Sequence, residues 1–441
     1  MVYLAFRFSQ IEKTLLMIID LLCFIAISFI VFKIRLGNYT YGFLTLPLYW
    51  ITVLIVLSSL YIFGAYDFSE RLSIKSLSIR IIRSFIFSIV LVGFGTFVFA
   101  QENFGFFGRG ILAGVLLTFY IFSSGPRIIF FYLNRKYNKS IHWLFLVDEL
   151  TESIIKSDIK KYKFQGKISY VDASVIQLKT KKELNNYDVL VLATKNTNFL
   201  DESMSTLMDA RLAGFPVLDI CDFYEKHWFK VPVDFLSKKW FFLTSGFNLV
   251  ENPVELRIKR LVDLILALLV LLVVWPIMLI AALVVKLESD GEVIYKQKRV
   301  GKGGREFVLY KFRSMVADAE KSGAQWAIKN DSRITRIGKI LRSSRIDELP
   351  QLFNVIKGEM SFIGPRPERL EFNKQIEKVV PFYNVRNMIR PGLTGWAQVC
   401  FPYGASIEDS KEKLQYEIYY IKNYSLLMDL TILLKTVSVV I

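Results

Sequence analysis

Two adjacent acids, Asp347 and Glu348, stand inside the stretch "LRSSRIDELPQLFNVIKGEMSFIGPRPE", with Arg342 and Arg345 ahead of them and Arg366 behind, set between two prolines. An aspartate can attack phosphorus to form an acyl phosphate, and a neighbouring glutamate can hold a Mg²⁺ that neutralises phosphate charge. Guanidinium groups bind phosphate in a fixed fork, so Arg342 and Arg366 fit the same chemistry. A structural role competes with it. Leu349, Leu352, Phe353, Ile356 and Met360 recur at helical spacing and Gly358 supplies a stop, which predicts an amphipathic helix with Asp347 as its N-cap and Pro350 at the third helical position. Acids at a helix start satisfy free amides and the dipole, and residue chemistry alone favours that capping role.

Further basic residues lie upstream. "EVIYKQKRVGKGGREFVLYKFRSM" alternates around a glycine turn and predicts a β-hairpin. Lys311 and Arg313, two apart on its second strand, share a face that could meet phosphate oxygens or could be a charged edge. The glycines lack P-loop spacing and belong to the turn.

Composition limits the alternatives. Of 441 residues 53% are hydrophobic, which points to a bilayer, and the net charge of +16 favours anionic partners outside it. No nucleic-acid-binding motif accompanies the basic residues, so nucleic acid is not expected as a partner. Cys23, Cys221 and Cys400 are widely separated, which argues against a disulfide framework or thiolate metal site. With His142 and His227 the only histidines, acid–base or metal work falls to carboxylates.

The elements that must position these residues begin with four apolar stretches, near 14–34, 44–66, 82–101 and 110–133, each of about 20 residues, enough to cross a hydrocarbon core. Lys/Arg bias places both ends of residues 1–140 in the cytoplasm, despite Lys33 and Arg35 in the first external turn. Asp20 interrupts the first stretch, which is expected to be retained. From 141 to 250, short apolar runs ("WLFLVD", "KISYVDA", "YDVLVLAT", "FPVLDI") alternate with helical segments and predict a small Rossmann-like α/β module. "DELTES" follows its first strand in place of a G-x-G-x-x-G turn, which argues against a dinucleotide site and for a regulatory or assembly role. A fifth apolar segment, 261–285, carries Pro276 inside it and basic flanks at both ends. That pattern predicts a segment that dips into the membrane and returns. The third unit, 251–441, then reads as an α+β region with a re-entrant membrane helix.

These motifs together resemble the bacterial sugar transferase family, the polyprenyl-phosphate hexose-1-phosphate transferases. The matching stretches include "KRLVDLILALLVLLVVWPIMLIAALVVKLES", "KQKRVGKGGREFVLYKFRSMVADAE", "DSRITRIGKILRSSRIDELPQLFNVIKGEMSFIGPRPE", "RPGLTGWAQV" and "EKLQYEIYYIKNYSLLMDLTILLKT", over about 257–441. Several separated motifs in one order carry more weight than any single one. The four upstream spans and the α/β module are similar to the long members that start capsule, exopolysaccharide or O-antigen units. The resemblance implies Asp347 as the nucleophile, Glu348 as its metal-binding partner, and Mg²⁺ held by both. Lys311, Arg313, Arg342 and Arg366 are implied to contact phosphate or nucleotide, and Pro276 to mark the break in the membrane helix. It further implies a UDP-sugar donor (UDP-glucose or UDP-galactose), undecaprenyl phosphate as acceptor, membrane lipids around both, and a multi-pass protein of the bacterial inner membrane with its catalytic domain on the cytoplasmic face. A homodimer is compatible with all of this. One departure stands out. Many members carry a basic residue soon after "GWAQV", where this chain has Cys400, Phe401 and Pro402. Two rival classes are a non-enzymatic membrane scaffold for polysaccharide assembly and a membrane-attached nucleotide-sugar dehydratase or epimerase. The second needs the dinucleotide turn that the sequence lacks.

Overall fold

A computed structural model describes all residues except 1, 38–43, 45–46, 67–73, 99–108, 173–183, 185, 195–204, 206, 248–249, 251, 289–290, 317–318, 320–330, 402–403, 405 and 441, so Pro402 falls outside the described residues. The chain divides into two compact units, Met1–Lys226 and His227–Ile441.

The first unit opens with four apolar helices, α1 (Val2–Leu36), α2 (Pro47–Ile62), α3 (Ile74–Val98) and α4 (Arg109–Ser140). Three of them contain windows long and apolar enough to cross a membrane, Lys13–Arg35, Ile74–Thr96 and Gly110–Leu133, whereas α2 is a shorter apolar helix of 16 residues. The third helix starts earlier than the apolar run alone suggests. It takes in Lys75, Arg80 and Arg83 because long cationic stems can run along a helix and reach polar groups beyond it, and Arg80 Nη1 donates to the Gly64 carbonyl at 3.0 Å. Asp20, which broke the first apolar run, is buried against Arg127 of α4 at 2.6 Å and also accepts from the Tyr66 hydroxyl at 2.6 Å. A charge among apolar helices requires such partners. The alternating segment that follows forms β1 (His142–Val147), α5 (Glu149–Tyr162), β2 (Lys167–Asp172), β3 (Val189–Ala193) and β4 (Val217–Asp219). They give a four-stranded sheet in the order β2-β1-β3-β4 with every pairing parallel. Asp148 directly caps α5, its carboxylate accepting from Thr151 N at 3.2 Å, so an acid occupies the place where a glycine turn would approach a pyrophosphate.

Helix α6 (Ile220–Trp228) leads into the second unit. Residues 229–247 pack within that unit: Val231 N bonds the Gln415 carbonyl at 3.0 Å, Lys230 pairs with Glu412 at 3.1 Å, and the short helix α7 (Lys238–Leu243) lends Trp240 and Phe241 to its core. Next comes α8, Pro253–Glu288, one helix of 36 residues with Pro276 inside. Its small or apolar positions Ala267, Ala281 and Val285 are buried in two clusters, with Leu309, Leu352, Val355 and Met360 around the first and Phe312 and Leu341 around the last two. Its opposite side exposes Leu268, Leu269, Leu272, Val273, Ile280 and Leu283. Strands β5 (Ile294–Val300) and β6 (Glu306–Phe312) form the expected antiparallel hairpin, whose turn places Gly303 and Gly304 at φ 67° and 76°. After it come α9 (Arg336–Ser343), α10 (Gln351–Lys357), β7 (Ser361–Ile363), α11 (Leu370–Glu377), β8 (Gly392–Thr394), α12 (Trp396–Cys400), α13 (Ile407–Lys422) and α14 (Leu426–Val440).

Candidate active site

The segment bearing the two acids is not the helix start that its periodicity predicts. Arg345 adopts a left-handed backbone conformation, φ 58°, which breaks the chain after α9, and Ile346–Glu348 form a single 3₁₀ turn closed by bonds from Glu348 N to Arg345 O and Leu349 N to Ile346 O, both 3.2 Å. Helix α10 begins only at Gln351, with Pro350 preceding it. Asp347 is therefore no N-cap. Its side chain is 6% exposed, and its Oδ1 has no hydrogen-bond partner. A buried polar oxygen left unpaired costs about 1–3 kcal/mol, so the fold retains a destabilising feature at the very atom suited to attack a phosphorus.

Glu348 has the opposite surroundings. Its Oε1 accepts from Arg366 Nη2 at 2.7 Å and from Lys311 Nζ at 3.2 Å, with Arg345 Nη1 at 3.9 Å. Burial would raise its pKa, but the Arg366 guanidinium and Lys311 ammonium outweigh that and hold it well below the usual glutamate range. For Asp347 burial prevails: it raises the pKa against the lowering pull of Lys311, with the Glu348 charge adding to the rise. Burial also lowers the pKa of Lys311 below the ordinary lysine range, opposed by Glu348 and reinforced by Arg366. Neighbouring carboxylates pushed in opposite directions are a recurrent sign of divided chemical roles.

Of the basic residues singled out from sequence, Lys311 and Arg366 meet at Glu348. Arg342 donates through Nε to the Ser314 hydroxyl at 2.8 Å and lies close enough to lower the Asp347 pKa. Arg313 reaches the end of α8, with Nη2 3.4 Å from the Val285 carbonyl.

What positions Arg366 was missed by sequence reasoning. Its carbonyl and those of the next two residues are held from two elements: Arg366 O by Arg386 Nη2 at 2.7 Å, and Pro367 O and Glu368 O by consecutive residues of β5, Arg299 Nη1 at 3.1 Å and Val300 N at 2.9 Å. Gly392 N adds a bond to Pro365 O at 2.8 Å. Arg386 is itself buried and gripped by Glu417 of α13 through two bonds, 2.8 and 2.7 Å, and lies over the Tyr383 ring. Asn354 performs the equivalent task for the acids: its amide bonds Val308 O at 2.7 Å and Tyr310 N at 3.1 Å, tying α10 to β6. The Tyr383/Arg386 spacing of three was the one available signal, and Arg386 carried no motif of its own. Among the described residues no group of three or more His, Cys, Asp or Glu side chains makes a metal cage.

A buried aspartate and a half-buried glutamate in an arginine- and lysine-rich setting, with an apolar-faced helix in the same unit, form a candidate anion site of a membrane-associated protein. Residues 254–441 match the family model described as bacterial sugar transferase. Over 255 residues, 58% of this chain and 59% of the relative, the sequence is 42% identical to the UDP-N-acetylgalactosamine-undecaprenyl-phosphate N-acetylgalactosaminephosphotransferase of Aeromonas hydrophila. It is 47% identical over 181 residues (40% of this chain, 37% of the relative) to the UDP-glucose:undecaprenyl-phosphate glucose-1-phosphate transferase of Xanthomonas campestris pv. campestris. A third relative, the exopolysaccharide production protein PSS of Rhizobium leguminosarum bv. phaseoli, is 42% identical over 189 residues, 42% of this chain and 94% of its own length. The chain belongs to the bacterial sugar transferase family. It spans 59% and 37% of the first two relatives.

Proposed function

We propose that this protein transfers a hexose-1-phosphate from a UDP-sugar to undecaprenyl phosphate at the cytoplasmic face of the bacterial inner membrane, as the first membrane step of capsule, exopolysaccharide or O-antigen synthesis. The observation that carries this reading is the unpartnered Asp347 Oδ1, buried beside a Glu348 that is kept ionised by Arg366 and Lys311. In the first displacement Asp347 Oδ1 attacks the β-phosphorus of the donor. The bond from that phosphorus to the bridging oxygen breaks, and UMP departs with the electron pair. A phosphate oxygen of the lipid acceptor then attacks the aspartyl phosphosugar. The Asp347–phosphorus bond breaks, the carboxylate is regenerated, and undecaprenyl diphosphate sugar leaves. Arg366, Lys311 and Arg342 balance the charge of the phosphates as they pass, which a low-dielectric site makes more effective than water would.

Asp347 and Glu348 fit a Mg²⁺ ion: both are hard oxygen donors, one oxygen is orphaned, and Mg²⁺ characteristically takes one or two carboxylates with the remainder from phosphates and water. Bound there, Mg²⁺ would neutralise the donor's diphosphate. The relatives' names supply glucose and N-acetylgalactosamine as donor sugars to set beside galactose.

A re-entrant placement of α8 is supported by where its ends are held. Near its start Lys259 pairs with Asp429 at 2.7 Å and Asp263 Oδ1 accepts from Phe362 N at 2.9 Å; at its end Glu288 Oε1 accepts from Ile337 N at 2.8 Å. All those partners belong to one folded unit. A straight helix of this length runs about 54 Å, more than the roughly 30 Å hydrocarbon core, and crossing would part ends that the fold grips together. In this reading the helix dips its apolar face into the leaflet, with Pro276 as its break, and returns the chain to the cytoplasmic side.

The scaffold reading explains the basic surface but not why two acids occupy its interior with a lone oxygen free. Purified protein incubated with Mg²⁺, undecaprenyl phosphate and a panel of UDP-sugars tests the assignment: one or two sugars should give lipid-linked product, and Asp347→Asn should abolish it. Lack of product with every UDP-sugar, or full activity of Asp347→Asn, overturns it.

A further inference from the structure

Beyond α8, the second unit carries another apolar surface, located upstream of the matched family residues. Helix α7 is capped by Ser237, whose hydroxyl accepts from Trp240 N at 3.1 Å. Two of its aromatics turn inward, with Trp240 and Phe241 6.3 and 6.0 Å from the Phe247 ring, in a core shared with Leu256 of α8 and Met428 of α14. The next two residues point the other way. Phe242 is 89% and Leu243 73% exposed, among the most exposed large apolar side chains of the unit. Val254, Ile258 and Leu261, spaced four and three apart on α8, and Leu427 of α14 are exposed as well. Lys238, Lys239 and Arg257 are exposed around them.

Because α7, the first turns of α8 and α14 are packed on one core, their exposed residues are carried rigidly by one body that includes α8. We propose that α7 is a second lipid contact, a wedge that sets Phe242 and Leu243 into the same leaflet as α8, with Lys238 and Lys239 at the anionic headgroups. This rests on the membrane placement of α8. The chemistry selects a bilayer over a protein partner. An outward Phe-Leu pair beside lysines matches an apolar interior rimmed by phosphate, and the core beneath it is shared with the first turns of a helix whose exposed face needs lipid. The wedge would fix the tilt of the catalytic unit about α8, which a single inserted helix leaves free to roll, and so fix the height at which Asp347 meets a lipid-borne phosphate.

Spin labels test this in the full-length protein, reconstituted in nanodiscs containing anionic lipid, in a background of Cys23→Ser, Cys221→Ser and Cys400→Ser. Labels are placed singly at Phe242→Cys, at Leu243→Cys, and at Leu272→Cys on the exposed face of α8, and relaxation by oxygen is compared with relaxation by a water-soluble nickel chelate. The expected result is oxygen accessibility exceeding chelate accessibility several-fold at 272 and at 242 or 243. Chelate-dominated relaxation at both 242 and 243 with a lipid-type response at 272 overturns the wedge alone. Low accessibility to both reagents at 242 and 243 means protein covers them, a second copy included, and overturns it too. A chelate-dominated response at 272 removes the membrane placement of α8, and the wedge with it.

Discussion

Replacing Lys311 by Met keeps the apolar stem and removes one charge from between the two acids. Its ammonium is 3.2 Å from Glu348 Oε1, and it is the leading cationic influence on Asp347. At that distance and an effective dielectric of about 20, a pair of unit charges is worth about 5 kcal/mol. Both side chains retain some exposure, 19% and 16%, and screening halves the figure to about 2–3 kcal/mol, or about 2 pKa units at Glu348. Asp347 loses the cation that most lowers its pKa, which should therefore rise further. The sign follows from the charge lost. Both carboxylates become harder to ionise, and activity that needs Asp347 ionised is present above its pKa and lost as pH falls through it. The acid limb of UMP release against pH should therefore move measurably upward. Lys311→Arg, which keeps the charge, should leave the limb close to its original place. A Lys311→Met variant that loses rate equally at all pH values, with the limb unmoved, would refute the electrostatic reading of this pair.

Glu417→Gln strands Arg386 in the core and should destabilise the catalytic unit by about 3–5 kcal/mol, read by thermal or denaturant unfolding; an Arg386→Met, Glu417→Leu double variant should lose less than the two single losses combined. Asn354→Leu leaves Val308 O and Tyr310 N unpaired in a buried site and should cost about 2–4 kcal/mol with a lower rate of donor turnover. At Gly392 an added Cβ would come 2.1 Å from Gly364 N and 2.5 Å from Thr394 O, so Gly392→Ala must push the Gly-Pro-Arg-Pro run aside; UMP release should fall at least tenfold, equivalent to about 1.4 kcal/mol of barrier, and an unchanged rate would show that Arg366 need not be held. In the membrane bundle, Asp20→Asn unbalances the buried Arg127 and should lower the melting temperature of the first unit in detergent.

Much of this organisation was legible in the sequence because it is written in hydropathy and periodicity. Apolar length located the N-terminal helices, alternation located the parallel sheet and the β5–β6 hairpin, and the Asp-Glu pair with its arginines pointed to the candidate site. The helix start at Asp347 was misread for a definite reason: helical spacing of Leu349, Leu352, Phe353 and Ile356 fixes which face is buried, while the left-handed Arg345 and the 3₁₀ turn that free the carboxylate leave no periodic trace. Strand β6 ends at Phe312, so the two-residue alternation that pairs Lys311 with Arg313 in the sequence does not extend to Arg313 in the fold. The brace formed by Glu417, Arg386 and Arg366 spans separations of 31 and 20 positions in the chain through one buried guanidinium, a relation only folding creates. Likewise the boundary of the second unit reaches back to His227 because Lys230 and Val231 pair with residues of α13, nearly two hundred positions away.

The central claim, that Asp347 carries the sugar phosphate between donor and lipid, is tested most directly in a single turnover without acceptor. Purified protein mixed with a sub-stoichiometric UDP-sugar should release UMP in a burst, and digestion at low pH followed by mass spectrometry should find a hexose-phosphate increment on the peptide containing Asp347, discharged when undecaprenyl phosphate is added. Release of UMP only after the lipid is present, with an unmodified Asp347 peptide throughout, would contradict the covalent route and leave the two acids as binding groups alone.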